Sequence, residues 1–169
     1  MASMKRVFVL LLLLAVSLVS AQSWQTVSSV DGKFSVQMPN KPQTQTQNQS
    51  EQGITVKTTL YVAGSNGTNY VLSVSVLPSK QDATLVKNMM DGIKSGFVRQ
   101  TSATVKSDKP YTVNGYAGRL ITFTVPSGAS GSLWMCNKVG RVYTLTVAKA
   151  SGDYTAEQKK FHSSFKIKG

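Results

Sequence analysis

Apolar and polar positions alternate in three successive runs, 119–125, 132–139 and 141–148, separated by Gly-rich breaks. A period of two puts successive side chains on opposite faces of a sheet. Each run therefore predicts a β-strand, and together they predict an antiparallel meander. The middle run differs from its neighbours, because Leu133, Trp134, Met135 and Cys136 are all apolar. A strand that is apolar at both parities needs cover on both faces. Trp134 and Cys136 are thus expected under one layer, and Leu133 and Met135 under another.

The same pattern organises the rest of the chain. Residues 23–27 are β-like, Val30-Asp31-Gly32-Lys33 is a tight-turn signal, and Phe34, Val36 and Met38 then share one face until Pro39 and Pro42. Residues 41–53, KPQTQTQNQSEQG, hold no apolar side chain that could dock them. They read as a mobile loop or an irregular strand edge, and a polar Gln/Thr tract can also extend as an edge strand, so their order is open. Residues 54–62 and 70–77 alternate on either side of Gly64-Ser65-Asn66-Gly67 and predict a hairpin, with Ile54, Val56, Leu60 and Val62 on one face.

Over residues 82–98 the period changes. Leu85, Val86, Met89, Met90, Ile93, Phe97 and Val98 recur at helical spacing, with Lys87, Asp91 and Lys94 opposite and Asp82 as N-cap. Gly92 and Gly96 weaken such a helix but let it lie close to a sheet. Two short β-like pieces, 103–106 and 110–113, precede the hairpin turn Asn114-Gly115. Residues 153–165 predict a closing helix with Tyr154, Phe161 and Phe165 as its stripe. Asp153 or Thr155 caps it, Glu157 suits its first turn, and Lys166 and Lys168 suit its C-terminal dipole. The pattern has no βαβ alternation. It predicts an α+β domain in which one antiparallel β-sheet is flanked by two main helices, the Leu85–Phe97 stripe on one face and the Tyr154–Phe165 stripe on the other.

Composition places this domain outside the cytoplasm. Lys5 and Arg6 precede an apolar run over 7–19, and Val19-Ser20-Ala21 presents small residues at the −3 and −1 positions. This is the pattern of a signal peptide over 1–21, cleaved before Gln22, and the run falls short of the roughly 18 apolar residues a spanning helix needs. Met4 is an alternative start, and no Cys at the junction offers a lipid anchor. The expected product is a single domain over 22–169 with no transmembrane segment, periplasmic or secreted. Cys136 is the sole cysteine, so no internal disulfide forms; it reads as a small buried apolar residue, with pairing to a second chain the alternative. Without Lys5 and Arg6, 17 basic residues still face 7 acidic ones. The excess is mostly Lys and scattered, which favours solubility over a dedicated polyanion site. Asn48 and Asn66 sit in glycosylation sequons that matter only in a eukaryotic host.

Candidate chemistry is sparse. His162 and Cys136 are the only soft ligands, and the seven carboxylates are dispersed without calcium-loop spacing, so no metal and no cofactor is expected. A hydrolase needs a base beside its nucleophile. Ser163 follows His162 directly on a predicted helix, where adjacent residues face apart. Gly115-Tyr116-Ala117-Gly118 and Gly128-Ala129-Ser130-Gly131 lack the strand–loop–helix setting of a phosphate loop and read as turns. Nucleic acid is disfavoured because most aromatics fall on apolar faces.

Trp24, Phe34-Ser35-Val36-Gln37-Met38-Pro39, a mid-chain helix, a three-strand meander and the closing Phe161-His162-Ser163-Ser164-Phe165 together resemble the PsbP-like superfamily, including small bacterial exported domains of the DcrB type. The resemblance spans nearly all of residues 22–169. It implies an antiparallel sheet sandwiched between helices. It also implies a role somewhere between a photosystem accessory subunit and an envelope protein, with no shared catalytic motif to carry over. The expectation is an exported, non-enzymatic accessory or binding domain whose partner is a protein or an envelope component. The alternative is a weak polyanion binder acting through its net positive charge. Oligomeric state does not follow from the sequence.

Overall fold

In the computed structural model the alternating runs form strands. Residues 23–51, 54–77 and 83–169 are described, so the leader read at 1–21 and the cap expected at Asp82 lie outside them. The strands are β1 (Gln25–Ser29), β2 (Phe34–Met38), β3 (Gln43–Glu51), β4 (Ile54–Ser65), β5 (Thr68–Val76), β6 (Thr104–Val113), β7 (Tyr116–Thr124), β8 (Ser130–Lys138), β9 (Arg141–Lys149) and β10 (Lys166–Ile167). The helices are α1 (Ala83–Thr101) and α2 (Thr155–Ser164).

The predicted single sheet is in fact two. Seven strands pair antiparallel in the order β3-β4-β5-β9-β8-β7-β6, and a separate small sheet runs β1-β2-β10. The meander is the heart of the large sheet. Leu133, Met135, Ile121, Phe123 and Val142 pack beneath Met89, Ile93 and Phe97 of α1. On the other face Trp134, Cys136, Tyr143 and Leu145 pack beneath Phe161 of α2 and Phe165, the residue that follows it. Both parities of β8 are buried, Trp134 at 0% exposure on one face and Met135 at 0% on the other. The expected assignment of faces therefore holds. What differs is the second cover, which α2 shares with Phe34, Val36 and Met38 of β2. Strand dominates the fold, and the molecule is a β-rich sandwich more than a sheet with two flanking helices.

One open reading is decided and two local expectations are corrected. Residues 43–51 take the edge-strand form; all nine pair with β4 in register. An edge strand needs only one paired side and tolerates polar residues on both faces. The pieces at 103–106 and 110–113 join into one strand, β6, whose register shifts between Val105 and Ser107. The extra residue, Lys106, breaks the alternation, and Pro110 is tolerated because β6 is the opposite edge. Lys166 does not serve a helix terminus. It lies in β10, where Lys166 and Ile167 pair with Ser35 and Phe34.

Three hairpins turn through two residues with positive φ: Asn66-Gly67, Asn114-Gly115 and Val139-Gly140. Such turns match the right-handed strand twist. Asn tolerates this region, whereas a β-branched residue in it costs about 1–2 kcal/mol. Val139, at φ 47°, carries that strain.

Helix α2 is tied at both ends. At its start the Asp153 carboxylate accepts hydrogen bonds from the Thr155 N–H (3.0 Å) and hydroxyl (2.6 Å), so of the two expected caps Asp153 acts, one residue further out than a standard N-cap. Glu157 in the first turn pairs with Lys149 at 2.7 Å. At its end the Asn114 amide donates to the Ser163 carbonyl (2.9 Å) and the Phe165 carbonyl (2.6 Å), two groups the helix itself leaves unpaired. The Ser164 hydroxyl accepts from the Gln37 N–H at 2.9 Å. The two sequence signatures thus meet across one interface, with Phe161 and Phe165 packed against Phe34, Val36 and Met38 and with Ser164 bonded to β2.

Candidate functional site

Three kinds of side chain here could do chemistry: the lone histidine, the lone cysteine and the charged groups. His162 projects from α2 into the core beside Trp134, with ring centroids 6.3 Å apart, and is 4% exposed. Neither ring nitrogen has a hydrogen-bond partner. Burial drives its pKa down from 6.5 to about 4; the Leu145 main chain pulls the other way from outside hydrogen-bonding geometry. His162 is therefore neutral at pH 7. Ser163, next along, faces solvent and bonds the Lys160 carbonyl. Cys136 lies in the same core, unpaired, and burial pushes its thiol up to about 12. A thiol so protonated is a poor nucleophile.

The charged groups are less dispersed than the sequence suggests. Arg119 on β7 donates through Nη1 to Asp91 of α1 (2.6 Å) and through Nε and Nη2 to Asp108 of β6 (2.5 Å each). Lys87 pairs with Asp91 (2.7 Å) and Lys94 with Asp108 (2.5 Å). Hydrogen bonds from Arg119 hold the Asp108 carboxyl down at about 2, and those from Lys87 and then Arg119 hold Asp91 below its ordinary value. The β6–β7 hairpin brings Asp108 and Arg119 together, and the packing of α1 against these strands adds Asp91. Sequence reading missed this cluster and placed Lys87, Asp91 and Lys94 on a solvent face.

Beside the cluster lies a cleft of about 480 Å³ lined by Val86, Lys87, Met90, Asp91, Arg119 and Asn137. The Asn137 side-chain oxygen is buried without a hydrogen-bond donor. All three guanidinium nitrogens face carboxylates already, so Arg119 is committed to the fold rather than presented to an anion. A smaller cavity of about 200 Å³ sits near the far end of α1, with Phe97, Phe123, Val71 and Val125 in its walls, and the Thr146 hydroxyl, buried and without a partner, beside them. Among the described residues no three His, Cys, Asp or Glu side chains converge as metal ligands would, and no helix is long and apolar enough to cross a membrane.

The two G-x-x-G strings divide the same way. Gly115 and Gly128 are turn residues at φ +80° and +88°, as expected. Gly118 and Gly131 instead lie inside strands, where another chain segment passes too close for a side chain. A Cβ on Gly118 would meet the Met135 carbonyl at 2.5 Å and the Trp134 indole nitrogen at 2.6 Å.

No protein-family model matches the sequence, and neither does any curated protein. Among solved structures, the chain is similar to cyanobacterial PsbP (CyanoP) from Synechocystis sp. PCC 6803, determined in solution. The TM-score is 0.60 and the identity 13%, over 92% of this chain and 98% of that one. The sheet, its two covers and their order in the chain thus have the PsbP-like fold, and at this identity the likeness speaks for the fold alone.

Proposed function

We propose that this protein is an exported, non-enzymatic accessory or binding domain of the PsbP-like kind, allied to the DcrB type, whose partner is a protein or a component of the cell envelope. The observation that carries the reading is the burial of His162 and Cys136 in one core, at 4% and 1% exposure. The chain's only histidine and only thiol are thereby held neutral and out of reach of a substrate. The salt-bridged Asp91, Asp108 and Glu157 are engaged in structure, which leaves surface recognition as the activity the side chains best support. Cross-linking of the exported protein in its native envelope tests this. Reproducible recovery of one protein or envelope component is expected, and recovery of no specific component would overturn the proposal. Retention on heparin that persists through moderate salt would move the reading to the polyanion binder, because diffuse charge alone is screened over about 10 Å at 0.1 M salt.

A further inference from the structure

One end of the molecule gathers features that neither core uses. The β1–β2 turn carries Val30, 89% exposed, and the β8–β9 turn carries Val139, 41% exposed and strained at φ 47°. The two turns are fastened together by one side chain. Arg141 donates through Nε (2.9 Å) and Nη2 (2.5 Å) to the Asp31 carbonyl and through Nη1 (2.9 Å) to the Val139 carbonyl. The Tyr143 hydroxyl holds the adjoining Gly32 carbonyl at 2.9 Å. Both valines therefore stand at the tips of turns whose spacing is set before anything binds.

Cations surround them. At this end of the large sheet Lys57 pairs across to Val76, Val76 to Arg141, and Arg141 to Lys138. Lys33 follows Gly32 in the first turn, and the Lys168 N–H bonds the Lys33 carbonyl at 2.8 Å. None of Lys33, Lys57, Lys138, Arg141 and Lys168 is in an ion pair among the described residues. Asp31 is the one carboxylate in these two turns and the paired strand ends. The scattered Lys of the sequence thus forms a rim around two apolar tips.

We infer that this end docks the protein onto an anionic lipid surface, with Val30 and Val139 entering the interface and Lys33, Lys57, Lys138 and Lys168 meeting the headgroups, while Arg141 stays committed to the two turns it fastens. A polyanion such as an acidic polysaccharide would use the cations and gain nothing from exposed valines. A protein partner would need pockets matched to two protruding tips, whereas a lipid interface accepts protrusions without matching. Apolar insertion and attraction to anionic headgroups are the two contributions that together hold proteins at membrane surfaces. The other two positive-φ hairpins place Asn where this one places Val, so the apolar tip is kept against local backbone preference.

The inference rests on the proposed reading of an exported binding domain and specifies its envelope component. Its test is sedimentation of the exported protein with phosphatidylcholine vesicles containing one quarter phosphatidylglycerol, and with pure phosphatidylcholine. Binding to the anionic vesicles is expected at least tenfold tighter. Val30→Ser/Val139→Asn should weaken it at least tenfold and leave the melting temperature no lower, because Asn relieves the strain at 139. Lys33→Gln/Lys138→Gln should weaken it by about tenfold as well. Unchanged binding of the valine variant would overturn the inference in favour of diffuse charge. Absence of vesicle binding, with a specific protein recovered by cross-linking, would overturn it and leave the proposed function standing. Absence of both would overturn the two together.

Discussion

Gly131 shows how much one side chain's absence decides. A Cβ there would run into the Val147 carbonyl and lie 2.9 Å from the Ala148 Cα and the Phe123 ring. The two flanking strands cannot part without unpairing the meander. Gly131→Ala is therefore expected to destabilise by about 3 kcal/mol or more, whereas Gly115→Ala, which meets nothing within 4 Å, costs only its backbone strain of about 1–2 kcal/mol. Urea melts of the two variants would show the order, and equal midpoints would refute it. Cys136 makes the complementary case. Its thiol is buried and held up at about 12, so a maleimide should label it no faster than the protein opens globally. Labelling within minutes in native buffer would show that the β8 face is open to solvent.

Among elements, α2 has the fewest internal resources. It is ten residues long, and isolated helices that short are marginal. Its C-terminal carbonyls depend on the Asn114 amide. Asn114→Ala should cost about 1–3 kcal/mol, part from the lost bonds and part from Ala at φ 49°. Asn114→Gly keeps the turn and loses only the bonds, so circular dichroism melts of the pair separate the two causes. Element existence was legible wherever apolar residues alternate or recur at helical spacing, as in β4, β5, β7 to β9 and both helices. The strands that escaped have physical reasons. In β3 no apolar residue marks a face. In β6 the extra Lys106 inverts the alternation halfway. β10 has two residues, and its pairing with Ser35 and Phe34 lies more than 130 positions away. The Arg141-fastened tips stayed hidden for the same reason, since they join turns that are neighbours only in space, and the Arg119 cluster depends on the register of β6 against β7 and on how α1 lies on them. The glycines were seen, but their division into turn and close-approach roles depends on which strands cross, and a tetrapeptide cannot show that.

For the whole molecule, the clearest solution prediction is acid sensitivity centred on His162. The unfolded chain binds a proton at this residue below about pH 6.5, and the fold resists it until about pH 4. Stability is thus unaffected by this group above 6.5 and declines as the pH falls from 6.5 to 4, by roughly 3 kcal/mol in all. The carboxylates act later. Asp108, held at about 2, contributes stability above about pH 4 that is lost as the pH falls towards 2. His162→Phe should flatten the upper limb and leave the lower one. Chemical denaturation at half-unit pH steps would check this, and an unchanged slope between pH 6.5 and 4 in the variant would refute it.

The small sheet has a further consequence, for the order in which the protein can be finished. Its middle strand, β2, lies between β1 near the start of the chain and β10 at residues 166–167. While the chain is being synthesised, the hydrogen-bonding edge of Phe34 and Ser35 stays vacant until residues 166 and 167 emerge. The core beneath β2 also waits for Phe161 and Phe165. Completion is thereby timed to the arrival of residues 161–167, so the topology itself delays folding until this late segment is available.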